Sequence, residues 1–283
     1  MESFEVFLLL FFGIVACRGL FRWYTRLAKM WPHDRNNTAK YILGFLPVAS
    51  FAIIIYTLTV LASFDVVDSF IYIIFYILMG YAWVFMGLIL VFQFLDLSWM
   101  DDALSMNNKA ALYAITGAFL GLVIIFSGAN IGDGPGWWCV LFAGGLGVVA
   151  WIFLARIMNI FTQALERVSV ERDIPCGIRF GFYLLASGII LARASAGDWT
   201  SFAMTIVEFY VGWPVIPLTF LAIMVERYYK AKSRENRNEN ALTGSVFWGC
   251  IYISLAVISV IIYPLIENPM YGSVLTDIFG ALL

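Results

Sequence analysis

One glutamate lies well inside an apolar run and has the clearest chemical potential in the chain. Glu208 follows Thr200 by eight residues, so a helix beginning there would place it about 12 Å from the helix end, at about 1.5 Å per residue. An ionised carboxylate at that depth is costly unless it faces other helices or water. Glu208 therefore indicates a group that binds a cation or a proton. The alternative is a protonated side chain that is hydrogen-bonded to a neighbouring helix.

Two prolines and a glycine interrupt the same apolar run just beyond this glutamate. Gly212 lies one turn on, and Pro214 and Pro217 lack the amide hydrogens that would bond the carbonyls of Tyr210 and Trp213. Interrupted helices with freed carbonyls coordinate cations in transporters. The segment predicts a hinge at the glycine and the two prolines, with the two carbonyls as further ion ligands. A simple proline kink is the alternative.

A second polar group lies at the inner ends of two predicted helices. Arg156, Asn159 and Gln163 share one stripe, and Gln93 ends a neighbouring helix. Hydrogen bonding within the bundle is one explanation, and the lining of an inner vestibule is the other.

Metal, cofactor and nucleic-acid chemistry find little support. The chain has one histidine, His33, and four scattered cysteines without a Cys-x-x-Cys pair, which predicts neither a zinc site nor a disulfide framework. A balance of 17 basic against 19 acidic residues excludes the basic face of a nucleic-acid binder. We therefore expect no catalytic residues, no metal, no cofactor and no enzyme activity.

The elements that position these residues are membrane helices. Apolar residues make up 62% of the 283 residues, charged residues only 13%, and the mean hydropathy is +0.88. A soluble protein averages about half and a quarter. Apolar runs bounded by charge predict an all-α, polytopic bundle of eight spans, including long third and seventh spans at residues 66–95 and 200–229.

The distribution of charge predicts the orientation. Short turns at residues 63–65, 132–136 and 196–198 alternate with longer polar loops at 27–40, 96–109, 162–176 and 230–241, and every Lys and Arg except Arg193 lies on the long-loop side. This bias predicts cytoplasmic long loops and extracytoplasmic N- and C-termini. Arg18, Arg22 and Arg26 share one helix face and are expected to extend towards the inner headgroups.

Each even-numbered span begins with similar capping chemistry. Asn37, Asn108, Asp173 and Glu239 are separated by 71, 65 and 66 residues, and each is a polar residue at the predicted start of a helix. Any helix needs such a cap, but the regular spacing favours four helix-pair repeats.

Part of this pattern resembles a known family. The residues that carry the resemblance are Asn107-Asn108-Lys109-Ala110-Ala111 with Gly117 and Gly121, and Asp173 with Gly177, Gly181 and Gly188. They resemble the bacterial "domain of unknown function 350" proteins, which have four membrane helices in two Asn-x-Ala-headed pairs. The chain departs from that pattern where Asp173-Ile174-Pro175 replaces the second Asn-x-Ala and where Glu239 replaces an Asn.

The resemblance is clearest over residues 104–199 and weaker before them, so the chain resembles a doubled version of the family. It divides the chain into a first part, residues 1–103, and a second part, residues 104–283, within one compact membrane domain. The family implies a protein of the bacterial inner membrane without an established activity, and it supplies no catalytic residues.

Small residues predict close helix packing. Gly117 and Gly121, like Gly177 and Gly181, lie four apart and so share one helix face. In lipid such faces let backbones approach. They predict packing within the bundle or a homo-oligomer, and the alternative is a pore lining.

Three functions are consistent with these patterns. The first is a channel or transporter for a small cation or proton that uses Glu208. The second is a non-transporting scaffold in envelope maintenance that recruits a cytoplasmic peripheral protein. Mixed charge runs at 166–173 and 232–237 would serve the scaffold as a docking site, although most such runs are solvated helix ends. The third, an intramembrane enzyme acting on lipid, lacks the clustered polar groups that it would need.

Overall fold

The fold of the chain is entirely helical where it is described. The structure, a computed structural model, describes residues 3–29, 38–235 and 241–263. Within these ranges it has helices, turns and one isolated bridge, between Ala62 and Gly132. Seven of these helices are long and apolar enough to cross a bilayer, and there are eight such spans if one bent pair is counted as a single span. The predicted all-helical, multi-pass membrane architecture is thereby confirmed.

The helices follow one another with short connections. The first four are α1 (Ser3–Ala28), α2 (Thr38–Tyr56, continued by a π-helical turn at Thr57–Leu61), α3 (Phe64–Val67) and α4 (Phe70–Leu95). A short π-helix, Trp99–Ser105, leads to α5 (Lys109–Ala129), α6 (Trp137–Thr162), α7 (Ala164–Ser169) and α8 (Ile174–Ala194). The last three are α9 (Phe202–Glu208, continued by a 3₁₀ turn at Phe209–Gly212), α10 (Val215–Glu235) and α11 (Ala241–Ile262).

Two spans differ from the sequence-based prediction. The third is shorter at its start because Ser69 has an extended backbone (φ −119°, ψ 106°) that separates α3 from α4. The seventh is not continuous, since α9 with its 3₁₀ turn meets α10 at a bend of 40°. Pro214 lies at this break and has no amide hydrogen to continue the helical ladder.

Helices α5 and α8 form the core of the bundle. About three quarters of each span is buried, 78% for α5 and 72% for α8, whereas only 11% of α1 is buried. A Cβ atom added to Gly117 would overlap the carbonyl of Gly181, and one added to Gly177 would overlap Ala110. Gly121 approaches the carbonyl oxygen of Leu184, which would lie 3.0 Å from such an atom. The two backbones are therefore in direct contact, as small residues permit in lipid.

Both core helices begin with a side-chain cap. Asn108 accepts hydrogen bonds from two amides in the first turn of α5, at 3.0 and 3.2 Å. Asp173 accepts one from the first turn of α8, at 3.1 Å. The other two predicted caps, Asn37 and Glu239, lie outside the described residues.

The segments that lead into α5 and α8 share a sequence of backbone conformations. The preceding helix ends in each case at a left-handed residue, Asp96 (φ 51°) after α4 and Gln163 (φ 58°) after α6. A short helix follows, and a second left-handed residue precedes each cap, Asn107 (φ 48°) and Arg172 (φ 55°). We call this end of the bundle the long-loop end, and the opposite end, with the turns after α5 and α8, the short-turn end.

Candidate functional site

A cavity opens at the short-turn end, between the turns after α5 and α8 and the helix α9. Its volume is about 60 Å³, which is room for a few water molecules. Asp133, Asp198 and Glu208 line it together with the polar residues Asn130 and Ser195, and no described basic residue lines it. The cavity is therefore acidic, and its electrostatic potential favours cations.

The two turns that form the cavity are joined by hydrogen bonds from backbone amides. The amide of Gly197 donates to the carbonyl of Ile131 at 2.9 Å, and the amide of Asp133 donates to the Asp198 carboxylate at 2.8 Å. Gly132 has a φ of 108°, and a Cβ atom there would lie 2.5 Å from the backbone of Gly197. Only glycine suits this close approach, so the sequence of the turn sets the shape of the cavity.

Glu208 is the last residue of α9, and it lines this cavity while half-buried. Its side chain makes no hydrogen bond or ion pair with any other described residue, and Asp198 is near enough to repel its charge. The carboxylate thus lies neither in a sealed helix contact nor wholly in lipid. No group of three or more His, Cys, Asp or Glu side chains in the described chain is placed to hold a metal ion. The geometry suits a proton or a loosely held small cation.

The carbonyls beyond Glu208 require a correction. The amide of Trp213 donates to the carbonyl of Tyr210 at 2.8 Å, and the amide of Ile216 donates to the carbonyl of Trp213 at 2.9 Å. Neither carbonyl is therefore left without a hydrogen bond by the prolines, because the backbone tightens into 3₁₀ geometry. The side chains of Tyr210 and Trp213 are exposed on the outside of the bundle.

The predicted hinge coincides with the bend between α9 and α10. Gly212 packs closely on α8, where a Cβ atom would lie 2.9 Å from the methyl group of Ala194. Pro214 lies at the break, and Pro217 lies in the first turn of α10, where no amide is needed for the helical ladder. The bend is a feature of the structure, and movement about it stays a prediction.

A second charged site lies at the long-loop end, and the sequence did not reveal it. Glu226 of α10 accepts hydrogen bonds from Arg179 of α8 through both carboxylate oxygens and from Arg167 of α7 at 2.8 Å. Arg179 also donates to the Ser245 hydroxyl of α11 at 2.5 Å, and Arg167 also donates to the Asp173 carboxylate at 2.5 Å. We call these five residues the ionic network.

The ionic network is almost completely withdrawn from solvent. The side chains of Glu226 and Arg179 are 0% exposed and that of Arg167 is 6% exposed. The ring of Tyr229 adds a cation–π contact, 4.2 Å from the Arg179 guanidinium. Burial would lower the pKa of Arg167, but the nearby acidic groups, including Glu226 and Asp173, outweigh burial and raise it. Two positive and two negative side chains balance, so the network has no net charge.

Between the two sites the bundle is tightly packed. Tyr183 of α8 and Thr219 of α10 are buried with their hydroxyl oxygens 2.9 Å apart. Ser187 of α8 is also fully buried, and its hydroxyl donates to backbone carbonyls of its own helix. These hydroxyl groups lie along α8 between the levels of the acidic cavity and the ionic network.

The predicted inner polar stripe forms hydrogen bonds between helix ends. Arg156 donates to a carbonyl near the end of α4 at 3.1 Å, and Asn159 accepts from an amide of α7 at 2.9 Å. Gln163 accepts from Lys230 of α10 at 2.5 Å, while Gln93 is exposed. Hydrogen bonding thus accounts for the two residues of this stripe in α6 and for Gln163 just beyond its end.

The ionic network was missed because its members are far apart in the chain. Glu226 lies near the end of the predicted seventh span, and Arg167 and Asp173 belong to a charge run whose pattern predicts a solvated helix end or a docking site. A usable signal was present in Arg179, which lies five residues into the apolar span α8. A charge at that depth requires a partner of opposite sign.

Comparison with known proteins identifies no relative of this chain. No family model, no curated protein and no solved structure matches the chain.

Proposed function

We propose that this chain carries protons or small cations across the membrane and that Glu208 is the group that binds the ion. The observation that supports this is the position of Glu208 beside the bend between α9 and α10, half-buried in an acidic cavity and without a side-chain partner among the described residues. A carboxylate without a fixed partner exchanges a proton or a weakly held cation at low cost, whereas a paired one does not. Neither catalytic residues nor a cofactor are part of this proposal.

The ionic network supplies the other requirement of a transport protein, a closed end. It ties α10, the inner half of the broken span, to α7, α8 and α11 through charged hydrogen bonds. On this proposal the structure represents a state in which Glu208 is accessible from the short-turn end only. Passage inwards requires movement of α10 or proton transfer past the packed hydroxyls of Tyr183 and Thr219.

We further propose that the long-loop end faces the cytoplasm, that both termini are extracytoplasmic, and that the membrane is the bacterial inner membrane. The bias of Lys and Arg towards the long-loop end supports this orientation. The resemblance to the "domain of unknown function 350" family supports the location.

The internal repeat is also part of the proposal. It is supported by the matching series of left-handed residue, short helix, left-handed residue and cap before α5 and before α8. The contacts between Gly117 and Gly181 and between Gly177 and Ala110 show these two helices running side by side in register. Repeats arranged in parallel are known in transporters.

Flux through reconstituted protein tests the function directly. Purified protein is placed in liposomes that enclose a pH-sensitive dye, and a potassium gradient with valinomycin supplies the driving force. Glu208→Gln keeps the shape and removes the titratable group, so we expect proton flux to fall by about 10-fold or more. Glu166→Gln removes an exposed carboxylate at the other end of the bundle and should leave the flux unchanged.

Two results would contradict the proposal. One is a Glu208→Gln protein that folds normally, as judged by its elution and thermal unfolding, and retains full flux. The other is a wild-type protein that passes neither protons nor sodium nor potassium.

The second candidate function is a non-transporting membrane scaffold. The tight contact between α5 and α8, with backbone against backbone, favours it because such a core is rigid. In that case the liposomes show no flux, and the purified protein retains a soluble partner through the loops of the long-loop end.

A further inference from the structure

Four basic side chains project from one side of the outermost helix, α1. Arg18, Arg22 and Arg26 follow one another at intervals of four residues, and Lys29 extends the row. All four are exposed, and none forms an ion pair with any residue in the described ranges. We call them the arginine face.

The orientation of the arginine face is fixed by the opposite side of α1. Trp23 is fully buried, and its indole nitrogen donates to the carbonyl of Leu43 at 3.0 Å. Its ring also stacks on Trp99, with centroids 4.1 Å apart. These contacts hold α1 against α2 and the Trp99–Ser105 segment, so the arginine face points away from the bundle.

The depth of the arginine face follows from the register between α1 and α4. The hydroxyl of Tyr72 donates to Glu5 at 3.1 Å, and Gly19 lies against the ring of Phe85. This register places Arg18 about level with Val84, roughly 16 Å before the end of α4 at about 1.5 Å per residue. Because α4 contains no charged residue up to Leu95, the arginine face runs alongside an apolar stretch of its neighbour.

Unpaired cations beside lipid at that depth require a counter-charge that lipid tails do not provide. We propose that the arginine face binds an anionic phospholipid in the leaflet at the long-loop end, with the lipid phosphate between the guanidinium groups. The open space there is about 440 Å³, and its lining is mostly apolar and comes from one helix and its end: Arg18, Phe21, Arg22, Thr25, Arg26 and Lys29. The ring of Phe21 is 74% exposed and provides an apolar surface for an acyl chain.

The charge of this face also argues against a second copy of the chain as its occupant. A symmetric dimer brings the same surface of both subunits together, which would place like charges opposite one another. Guanidinium groups match phosphate oxygens through paired hydrogen bonds. A lipid phosphate satisfies both the depth and the charge of the site, and the inference does not depend on a transport function.

Native mass spectrometry of the full-length protein tests this proposal. Protein in detergent is titrated with phosphatidylglycerol or with phosphatidylcholine, and the bound lipids are counted. We expect the wild-type protein to retain more phosphatidylglycerol than phosphatidylcholine. The triple variant Arg18→Gln, Arg22→Gln, Arg26→Gln should weaken phosphatidylglycerol binding by about 100-fold, and Arg22→Gln alone by about 5-fold. The single variant keeps the test decisive if the triple variant does not fold.

The matched control removes the same charge elsewhere at the long-loop end. Lys109, Arg172 and Arg227 are exposed, and their replacement by Gln should leave the high-affinity binding unchanged. Equal binding of the two lipids by the wild-type protein would overturn the proposal. Equal losses in the control and the arginine-face variants would overturn it too, as would a change of oligomeric state without a change in lipid binding.

Discussion

Two glutamates of the same broken span have opposite surroundings. Glu208, at the short-turn end, is half-buried in an acidic cavity, and its side chain has no hydrogen-bond or ion-pair partner among the described residues. Glu226, at the long-loop end, is 0% exposed, and two arginines donate to it. No described basic residue lines the first site, and the second balances two arginines with two carboxylates.

The difference separates a carboxylate without described partners from one that two arginines hold in place. Burial of a charge is tolerated when partners replace the lost hydration, and removal of one partner then leaves the others unpaired. Glu226 is in this situation, so its contribution is to hold helices together. Glu208 has no such partners among the described residues, so its charge contributes little to stability, and under the proposed function it is available to a mobile ion.

The largest expected effect comes from removing the charge of Glu226. Glu226→Gln leaves Arg179 buried without a counter-ion and should lower the free energy of unfolding by about 3–5 kcal/mol. Glu208→Gln should lower it by no more than about 0.5 kcal/mol, since it breaks no contact. Titration with sodium dodecyl sulfate in mixed micelles measures both. Equal losses in the two variants would remove the distinction between the sites.

A double variant separates charge from shape in the same measurement. Arg179→Gln combined with Glu226→Gln removes one charge of each sign and leaves Arg167 paired with Asp173. It should be more stable than Glu226→Gln alone, because no unpaired charge is buried. A double variant that is less stable would indicate that packing and hydrogen-bond geometry outweigh charge in the network.

The next largest effect concerns the close backbone contact between α5 and α8, the two core helices that extend from the long-loop end to the short-turn end. A Cβ atom at Gly181 would overlap the backbone at Tyr113, so Gly181→Ala must separate α5 from α8 and should cost about 1–3 kcal/mol. Gly145 is the matched control, because a Cβ atom there meets nothing within 4 Å. Gly145→Ala should be neutral or stabilising by up to about 1 kcal/mol, since alanine favours the helix. Thermal unfolding compares the two variants, and equal melting temperatures would contradict the close contact.

The sequence predicted the elements better than it predicted their contacts. Apolar runs and charge boundaries are local, so they located the spans, and the interruption after Glu208 was visible in Gly212 and Pro214. The ionic network could not be predicted in this way, because Arg179 and Glu226 are 47 residues apart and only the packing of α8 on α10 brings them together. The hydrogen bonds of the Tyr210 and Trp213 carbonyls depend on local 3₁₀ geometry, which the mere presence of proline does not specify.

The smallest expected effect concerns Asp102. Its carboxylate accepts one hydrogen bond, whereas that of Glu226 accepts three and that of Glu208 accepts none from the described residues. Asp102 lies between spans in the Trp99–Ser105 helix, is partly buried, and accepts its hydrogen bond from the amide of Ser98 at 2.8 Å. Burial raises its pKa above the ordinary 3.8, while the Ser98 hydrogen bond opposes the rise. The folded state therefore binds its proton more tightly than the unfolded state, and stability falls as the pH rises from about 4 through the folded pKa.

Asp102→Asn keeps an acceptor for Ser98 and removes this loss, so the variant should be more stable than the wild type at neutral pH. Because the group is partly exposed, the gain should be about 0.5 kcal/mol or less. Melting temperatures measured between about pH 4 and 7 compare the two proteins. Curves that run parallel over this range would show that Asp102 behaves as a solvated carboxylate and that partial burial alone does not perturb it.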